Sequence, residues 1–178
     1  GIENAADYAA MLGAGLYCPL SSGMGRLFDG AAAILGIRTR CSYEGQGAVL
    51  LEAAAGEDDG VYPFELAGVP LRFDWRPMIR ALVSDRDKGA DTSLLAARFM
   101  NTLAAMAAQL CERASAETGV RDVVLSGGTF QNMYLMRLLP AALEKRGLRV
   151  WRHRRVSAND EGIALGQLMI AQALRRDK

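Results

Sequence analysis

Val124-Leu125-Ser126-Gly127-Gly128-Thr129-Phe130-Gln131-Asn132 is an apolar strand that enters a Gly-Gly turn and leaves it as a helix beginning near Asn132. Paired glycines at such a turn remove the Cβ atoms that would keep a ligand away, and the backbone amides of a helix start can then approach a phosphate or nucleotide. Taken alone, the pair also fits a plain tight turn. A second stretch, Ser157-Ala158-Asn159-Asp160-Glu161-Gly162-Ile163-Ala164-Leu165-Gly166-Gln167, reads as another loop opening a helix. Two turns of this kind at the same ends of neighbouring parallel strands face one crevice, which is where open α/β sheets bind ligands.

Working outward, the pattern predicts a strand over 121–126, a helix over 132–146 interrupted at Pro140, a strand over 148–152 and a last helix from 160 to about 174. A strand, a crossover helix and a second strand make a parallel βαβ unit. Upstream, Asp91 and Thr92 can cap the longest helix. Its stripe of Leu95, Phe99, Leu103, Met106 and Leu110 marks a core face, and it ends near Gly119. Residues 3–17 read as a short Ala-rich helix. Ser21 and Ser22 offer cap oxygens to a second helix that carries Leu27, Phe28, Ala31, Ile34 and Leu35 and stops at Gly36, and a third runs from about Gln46 to Ala55. Val61–Leu66 and Val69–Trp75 then read as a hairpin around Ala67-Gly68. Pro63 and Pro70 place it at a sheet edge or outside the main sheet. A short helix over 76–84 and a charged loop over 85–91 follow. Residues 1–90 are therefore expected to be mostly helical with a hairpin at 61–75, and residues 91–178 to be α/β. With no repeat or linker between them, the two parts are expected to form one lobe with a helical insertion.

The composition narrows the function. A chain of 178 residues, 51% of them hydrophobic, can bury a full core. A net charge of +1 gives no electrostatic reason to expect nucleic acid or an anionic membrane. Arg149, Arg152, Arg154 and Arg155 are a local basic cluster, either a solvated strand edge or an anion site. Cys18, Cys41 and Cys111 lack the spacing of a disulfide framework or zinc knuckle, which suits a reduced, cytoplasmic compartment. Leu94–Cys111 is broken by Arg98, Asn101 and Gln109 and reads as too polar for a membrane span. The chain opens at Gly1 rather than Met, and is expected to be a piece of something longer.

His153 is the only histidine, so a two-His zinc site is excluded and a Ser-His-Asp triad disfavoured; beside Arg152 and Arg154 it suits a surface or hydrogen-bonding role. Asp160 heads a helix and can be an N-cap, but Asn159 can cap equally well and leave that carboxylate free for a cation. One carboxylate is too few for a metal site, and further ligands would have to come from outside this chain. Asp29, in Gly25-Arg26-Leu27-Phe28-Asp29, is either a solvent-facing charge or an acceptor for two ribose hydroxyls. Glu44, in Tyr43-Glu44-Gly45-Gln46-Gly47, either lines a pocket or complements a helix dipole.

The ordered set SSGMGRLFDG, YEGQGA, LSGGTFQN and NDEGIALGQ resembles the C-terminal part of the HypF-type carbamoyltransferases of [NiFe]-hydrogenase maturation, and more distantly the TsaD family that makes threonylcarbamoyladenosine in tRNA. The resemblance runs from about Ser21 to Ala171, and Gln131 with the Phe-Asp helix and Glu-Gly-Gln favours the HypF branch. It implies an α/β chain that forms one RNase-H-like lobe of an actin-like ATPase fold, with a helical N-terminal insertion and a β-hairpin. It also implies that a carbamoyl group passes from carbamoyl-adenylate, made from ATP and carbamoyl phosphate at a separate domain, to the C-terminal cysteine of HypE. By the same resemblance Asp29 would hold ribose hydroxyls, Gly127 and Gly128 would approach the phosphate, Asn132 and Glu44 would line the nucleoside pocket, and Asp160 would bind a divalent metal.

Some features depart from that family. Its paired metal-binding histidines and its acylphosphatase, zinc-finger and YrdC-like regions lie upstream of anything present here. Thr129 stands where Val is usual, a near-isosteric change, and Glu161 stands where Gly is usual, adding a carboxylate near the expected metal or phosphates. Half a cleft lacks the facing ligands and the water exclusion that transfer needs, so the chain alone is expected to fold without catalysing. Two other readings stay open. One is a docking module, whose hairpin and exposed face hold HypE or a second copy as a homodimer, with nucleotide binding vestigial. The other is a TsaD-like enzyme or O-carbamoyltransferase acting on tRNA or a small molecule.

Overall fold

The computed structural model describes residues 4–176. Contacts within the chain gather into two compact units, Gly1–Ala53 and Ala54–Lys178.

The first unit is helical: α1 (Ala5–Ala14), α2 (Met24–Ile34) and α3 (Gln46–Ala54, whose last residue opens the second unit). No residue of α1 is buried, whereas α2 buries Phe28, Ala31 and Ala32 at three- and four-residue spacing. α2 begins later than the Ser21-Ser22 pair suggests. Its cap is Gly23, with no side-chain cap bond, and the Ser21 hydroxyl instead accepts the Gly23 N–H over 3.2 Å. α3 comes very close to α2 at Gly47. A Cβ there would lie 2.9 Å from Asp29 Oδ1 and 3.5 Å from Ala32 Cβ, so a side chain at Gly47 would have to displace the Asp29 carboxylate.

The second unit is organised around α5 (Thr92–Thr118), 27 residues long. Asp91 caps it, its carboxylate accepting the Ser93 N–H over 2.7 Å, and Gly119 ends it at φ 74°. Leu95, Phe99, Leu103 and Met106 of the expected stripe are buried; Leu110, near the helix's far end, is only partly so. By length and composition α5 could cross a membrane, contrary to the sequence expectation, but 61% of its most apolar window is buried within the protein, the mark of a core helix. α4 (Arg76–Asp87) packs on it through Met78 and Leu82. α4 continues through what reads as the start of a charged loop, because Asp85 pairs with Lys88 one turn on and with Arg98 of α5.

β1 (Glu65–Ala67) and β2 (Arg72–Asp74) form the expected antiparallel hairpin in the register Leu66↔Phe73. The first arm is shorter than its β-like sequence suggests. Residues 55–64 contain no strand and run instead as a strap whose backbone is held by side chains of α5. Thr102 Oγ1 accepts the Tyr62 N–H over 2.8 Å and donates to Arg98 O over 2.7 Å. Asn101 Nδ2 donates to the carbonyls of Asp58 and Gly60 over 2.7 and 3.2 Å. Arg98 binds the Asp58 carboxylate through Nε at 2.8 Å and Nη2 at 3.3 Å. Buried backbone polar groups need partners, and here a helix supplies what a sheet ladder would otherwise provide.

β3 (Asp122–Leu125), α6 (Met133–Glu144) and β4 (Arg149–Arg152) make the βαβ unit, with β3 and β4 parallel in the register Leu125↔Arg152. Pro140 lies inside α6 without interrupting it. The imino nitrogen removes a single backbone bond, while Leu135, Leu139 and Leu143 remain aligned and buried against α5. α7 (Ile163–Arg176) ends the described chain.

Candidate functional site

The Gly-Gly turn sits at the carboxyl end of β3. Gly127 has φ 104° and ψ 161°, a conformation open only to glycine. Gly128 differs: its backbone needs no positive φ, and a Cβ there would meet nothing within 4 Å. The chain's own packing thus gives no reason for a second glycine, while open space above the backbone leaves room for a ligand. Residues Gly128–Gln131 form one turn of 3-10 helix, at whose start the N–H groups of Gly128 and Thr129 have no acceptor within the turn.

The second turn is tied directly to the first. The N–H of Gly127 donates to Ala158 O over 2.7 Å. Asn159 caps the following short turn, its Oδ1 accepting the Glu161 N–H over 3.1 Å, and Gly162 N–H returns to Asn159 O over 3.1 Å. Among the described residues the Asp160 carboxylate has no hydrogen-bond or ion partner, so Asn159 takes the capping role and leaves Asp160 free. No cluster of three metal-ligating side chains occurs among the described residues. A single free carboxylate is too few to hold a cation by itself.

Asn132 is buried, 8% exposed, and its side chain is already used. Oδ1 accepts the Leu135 N–H over 2.8 Å as the N-cap of α6, and Nδ2 points at Met100 Sδ over 3.7 Å. His153 makes a hydrogen bond, in keeping with its sequence, across 3.0 Å between Nε2 and Ser126 Oγ.

In the first unit Asp29 and the Tyr43–Gly47 motif come together at the Gly47 contact. Arg26 Nη1 lies 3.5 Å from Asp29 Oδ2, and the Asp29 side chain is 36% exposed. Glu44 is exposed on the turn before α3, where Gly45 adopts φ 80° and Gln46 Oε1 accepts the Ser42 N–H over 2.8 Å. Asp29 and Glu44 belong to this unit, whereas Gly127, Gly128, Asn132 and Asp160 belong to the other.

The charged cluster on α5 has no counterpart in the sequence reading. Hydrogen bonding to Arg98 holds the Asp58 carboxyl below the usual carboxylate range. Burial, and then the charge of Asp85, push the Tyr62 phenol up to about 12. Asn101 Oδ1 accepts the Tyr134 hydroxyl at 3.2 Å, which links the strap to the first turn of α6. These contacts join residues 40 and 33 positions apart, so no local pattern announces them.

The parallel strand pair feeds glycine turns at its carboxyl end and has helices packed beside it, an α/β lobe as expected of the actin-like ATPase kind. Residues 2–167 match the family described as carbamoyltransferase, Kae1-like domain, second subdomain, and the chain belongs to that family. It is 38% identical over 156 residues to the carbamoyltransferase HypF of Synechocystis sp., covering 85% of this chain and 19% of that protein. It is 40% identical over 172 residues to the carbamoyltransferase HypF of Rhizobium leguminosarum bv. viciae, covering 94% of this chain and 22% of that protein. The crystal structure of full-length HypF in its phosphate- and nucleotide-bound form superimposes with a TM-score of 0.81 at 38% identity, over 86% of this chain and 20% of that one. The chain thus spans about a fifth of the length of these relatives.

Proposed function

We propose that the chain is the nucleotide-binding lobe of a cytoplasmic carbamoyltransferase acting in [NiFe]-hydrogenase maturation. The carbamoyl group passes from carbamoyl-adenylate to the C-terminal cysteine thiol of a HypE-like acceptor. The acceptor thiol gives its proton to solvent, its sulfur forms the new bond to the carbamoyl carbon, the bond from that carbon to the AMP phosphate oxygen breaks, and AMP leaves with the electron pair. The observation that carries this reading is Gly128, a glycine that the fold itself does not require, at the mouth of a turn tied to the Asp160 loop. The family membership and the nucleotide in the related HypF structure support it.

In this reading Gly127 and Gly128 bring backbone to the phosphates, Asp29 accepts the ribose hydroxyls, Glu44 lines the nucleoside pocket and Asp160 contributes one ligand to a divalent cation. Asn132 lines the pocket through its backbone and through the helix start it caps. The metal's other ligands and the exclusion of water come from outside this chain, which is therefore inactive alone. Calorimetric titration of ATP and AMP, with and without divalent metal, tests this on the chain and on the full-length protein. Binding should be weak in the first and strong in the second, metal-dependent and lost in Asp160→Ala. Absence of binding in the full-length protein would sink the reading, as would carbamoyl transfer to a HypE C-terminal peptide by the isolated chain.

One observation favours a docking role beside this. α7 exposes Leu168, Met169, Ile170 and Leu174, and the hairpin loop exposes Val69 fully. Such apolar surface suits a protein partner, either the HypE-like acceptor or a second copy in a homodimer. Loss of acceptor binding on changing Val69 to Asp, with nucleotide affinity intact, would separate the docking role from the catalytic one.

A further inference from the structure

Because β3 and β4 pair with Leu125 opposite Arg152, the first residues beyond them, Ser126 and His153, follow side by side from the carboxyl ends. Their side chains meet at 3.0 Å. One residue further, the Gly127 N–H reaches Ala158 O over 2.7 Å. The glycine turn is thus held at its root by two ties to the segment after β4, one through side chains and one through backbone. The other end of the strand pair has its own clamp, where Asp122 accepts from Trp151 Nε1 over 2.7 Å and pairs with Arg149. A turn that starts at a glycine with φ 104° has unusual freedom to swing, and a swing there redirects every amide that follows.

We propose that His153 is a positioning residue for the nucleotide: through Ser126 it fixes the direction in which the Gly128 and Thr129 amides point. This rests on the nucleotide-binding reading above. His153 acts through the serine, not by touching the ligand, so the two side chains form one unit. Removing either removes the whole effect, because each has lost its partner.

The experiment compares the full-length protein with Ser126→Ala, His153→Ala, the double variant and His153→Gln, whose side-chain amide can span the same gap. ATP affinity is measured by calorimetry, Gly127 amide exchange by NMR, and the unfolding midpoint by denaturant. Each single variant should weaken ATP about threefold to tenfold, the scale of one hydrogen bond. The double should be no worse than either single, the midpoint unmoved, and Gly127 exchange faster; His153→Gln should restore both affinity and exchange. Weakening by His153→Ala without weakening by Ser126→Ala overturns the proposal, as does unchanged exchange in both. If the wild-type protein binds no ATP, the nucleotide reading alone fails, and Gly127 exchange then decides the tie by itself.

Discussion

The N–H of Gly127 donates to Ala158 O, 2.7 Å away on the segment after β4, in a backbone conformation that only glycine adopts. Of the two glycines, then, the first anchors the turn in that conformation, while the second needs no positive φ and has open space where a side chain would sit. Their substitution should separate stability from binding.

Gly127→Ala forces a side chain into a glycine-only conformation and should cost about 1–3 kcal/mol. Gly128→Ala meets nothing within 4 Å and should leave the unfolding midpoint nearly unchanged. In the full-length protein it should still weaken ATP binding at least tenfold, since the new methyl occupies the space where phosphate would approach. Denaturant unfolding and calorimetry on the same two variants check both statements.

Asn132→Ala removes the cap of α6 and should destabilise by roughly 1 kcal/mol, whereas Asn132→Asp or Asn132→Ser, each with an oxygen that can cap, should recover most of that. Nucleotide affinity that follows the cap across these three variants would place the residue's contribution in the helix start. Affinity lost even with a good cap would mean that the amide itself touches the ligand.

Thr102→Val keeps the side-chain shape and leaves the buried Tyr62 N–H without its acceptor, at a cost of about 1–3 kcal/mol. Thr102→Ser keeps the hydroxyl and should lose less, from the missing methyl alone. The unfolding midpoints of the pair measure the difference.

Asp58 is held below its ordinary pKa first by its hydrogen bond to Arg98. A carboxylate lowered in the folded state contributes its stability in full above its unfolded value, near pH ~4, and loses it as pH falls through the folded value. Wild-type stability should therefore fall more steeply below about pH 4 than that of Asp58→Asn, and the two curves should converge in acid. At neutral pH the variant should be less stable by about 1–2 kcal/mol, a partly exposed pair being worth less than a buried one. Denaturant midpoints collected from pH 6 down to about pH 2 test the shape.

Much of this was legible because local chemistry sets local structure. Asp91 and Gly119 mark the ends of α5, and the apolar spacing from Leu95 to Met106 marks its buried face. The apolar strand that runs into the glycine pair and then into a helix located the turn that carries the functional reading. What escaped was set by distant partners. Val61–Phe64 has strand-like residues, yet it runs as a strap: Thr102, forty positions on, accepts the Tyr62 N–H, and Asn101 holds the carbonyls of Asp58 and Gly60 just before it. Pro140 looks like a helix breaker, but three leucines packed against α5 outweigh one missing bond. At the site, the place of Asp160 at a helix start and the resemblance that pointed to Asn132 did not show how differently the two are employed, one carboxylate unpartnered and one amide used as a cap.

Gly60 carries a consequence for genetics. A Cβ at this position would sit 2.5 Å from Arg98 Nε and 2.8 Å from the Asp58 carboxylate, in the middle of the charges that fasten the strap to α5. A saturation screen for folded protein should therefore flag Gly60, since any replacement has to push the Arg98 and Asp58 side chains aside, although it has no side chain with which to meet a substrate. The lesion would show as scarce protein, with normal specific activity in whatever fraction survives, and a map of inactivating alleles would trace the fastening of the lobe as plainly as its chemistry.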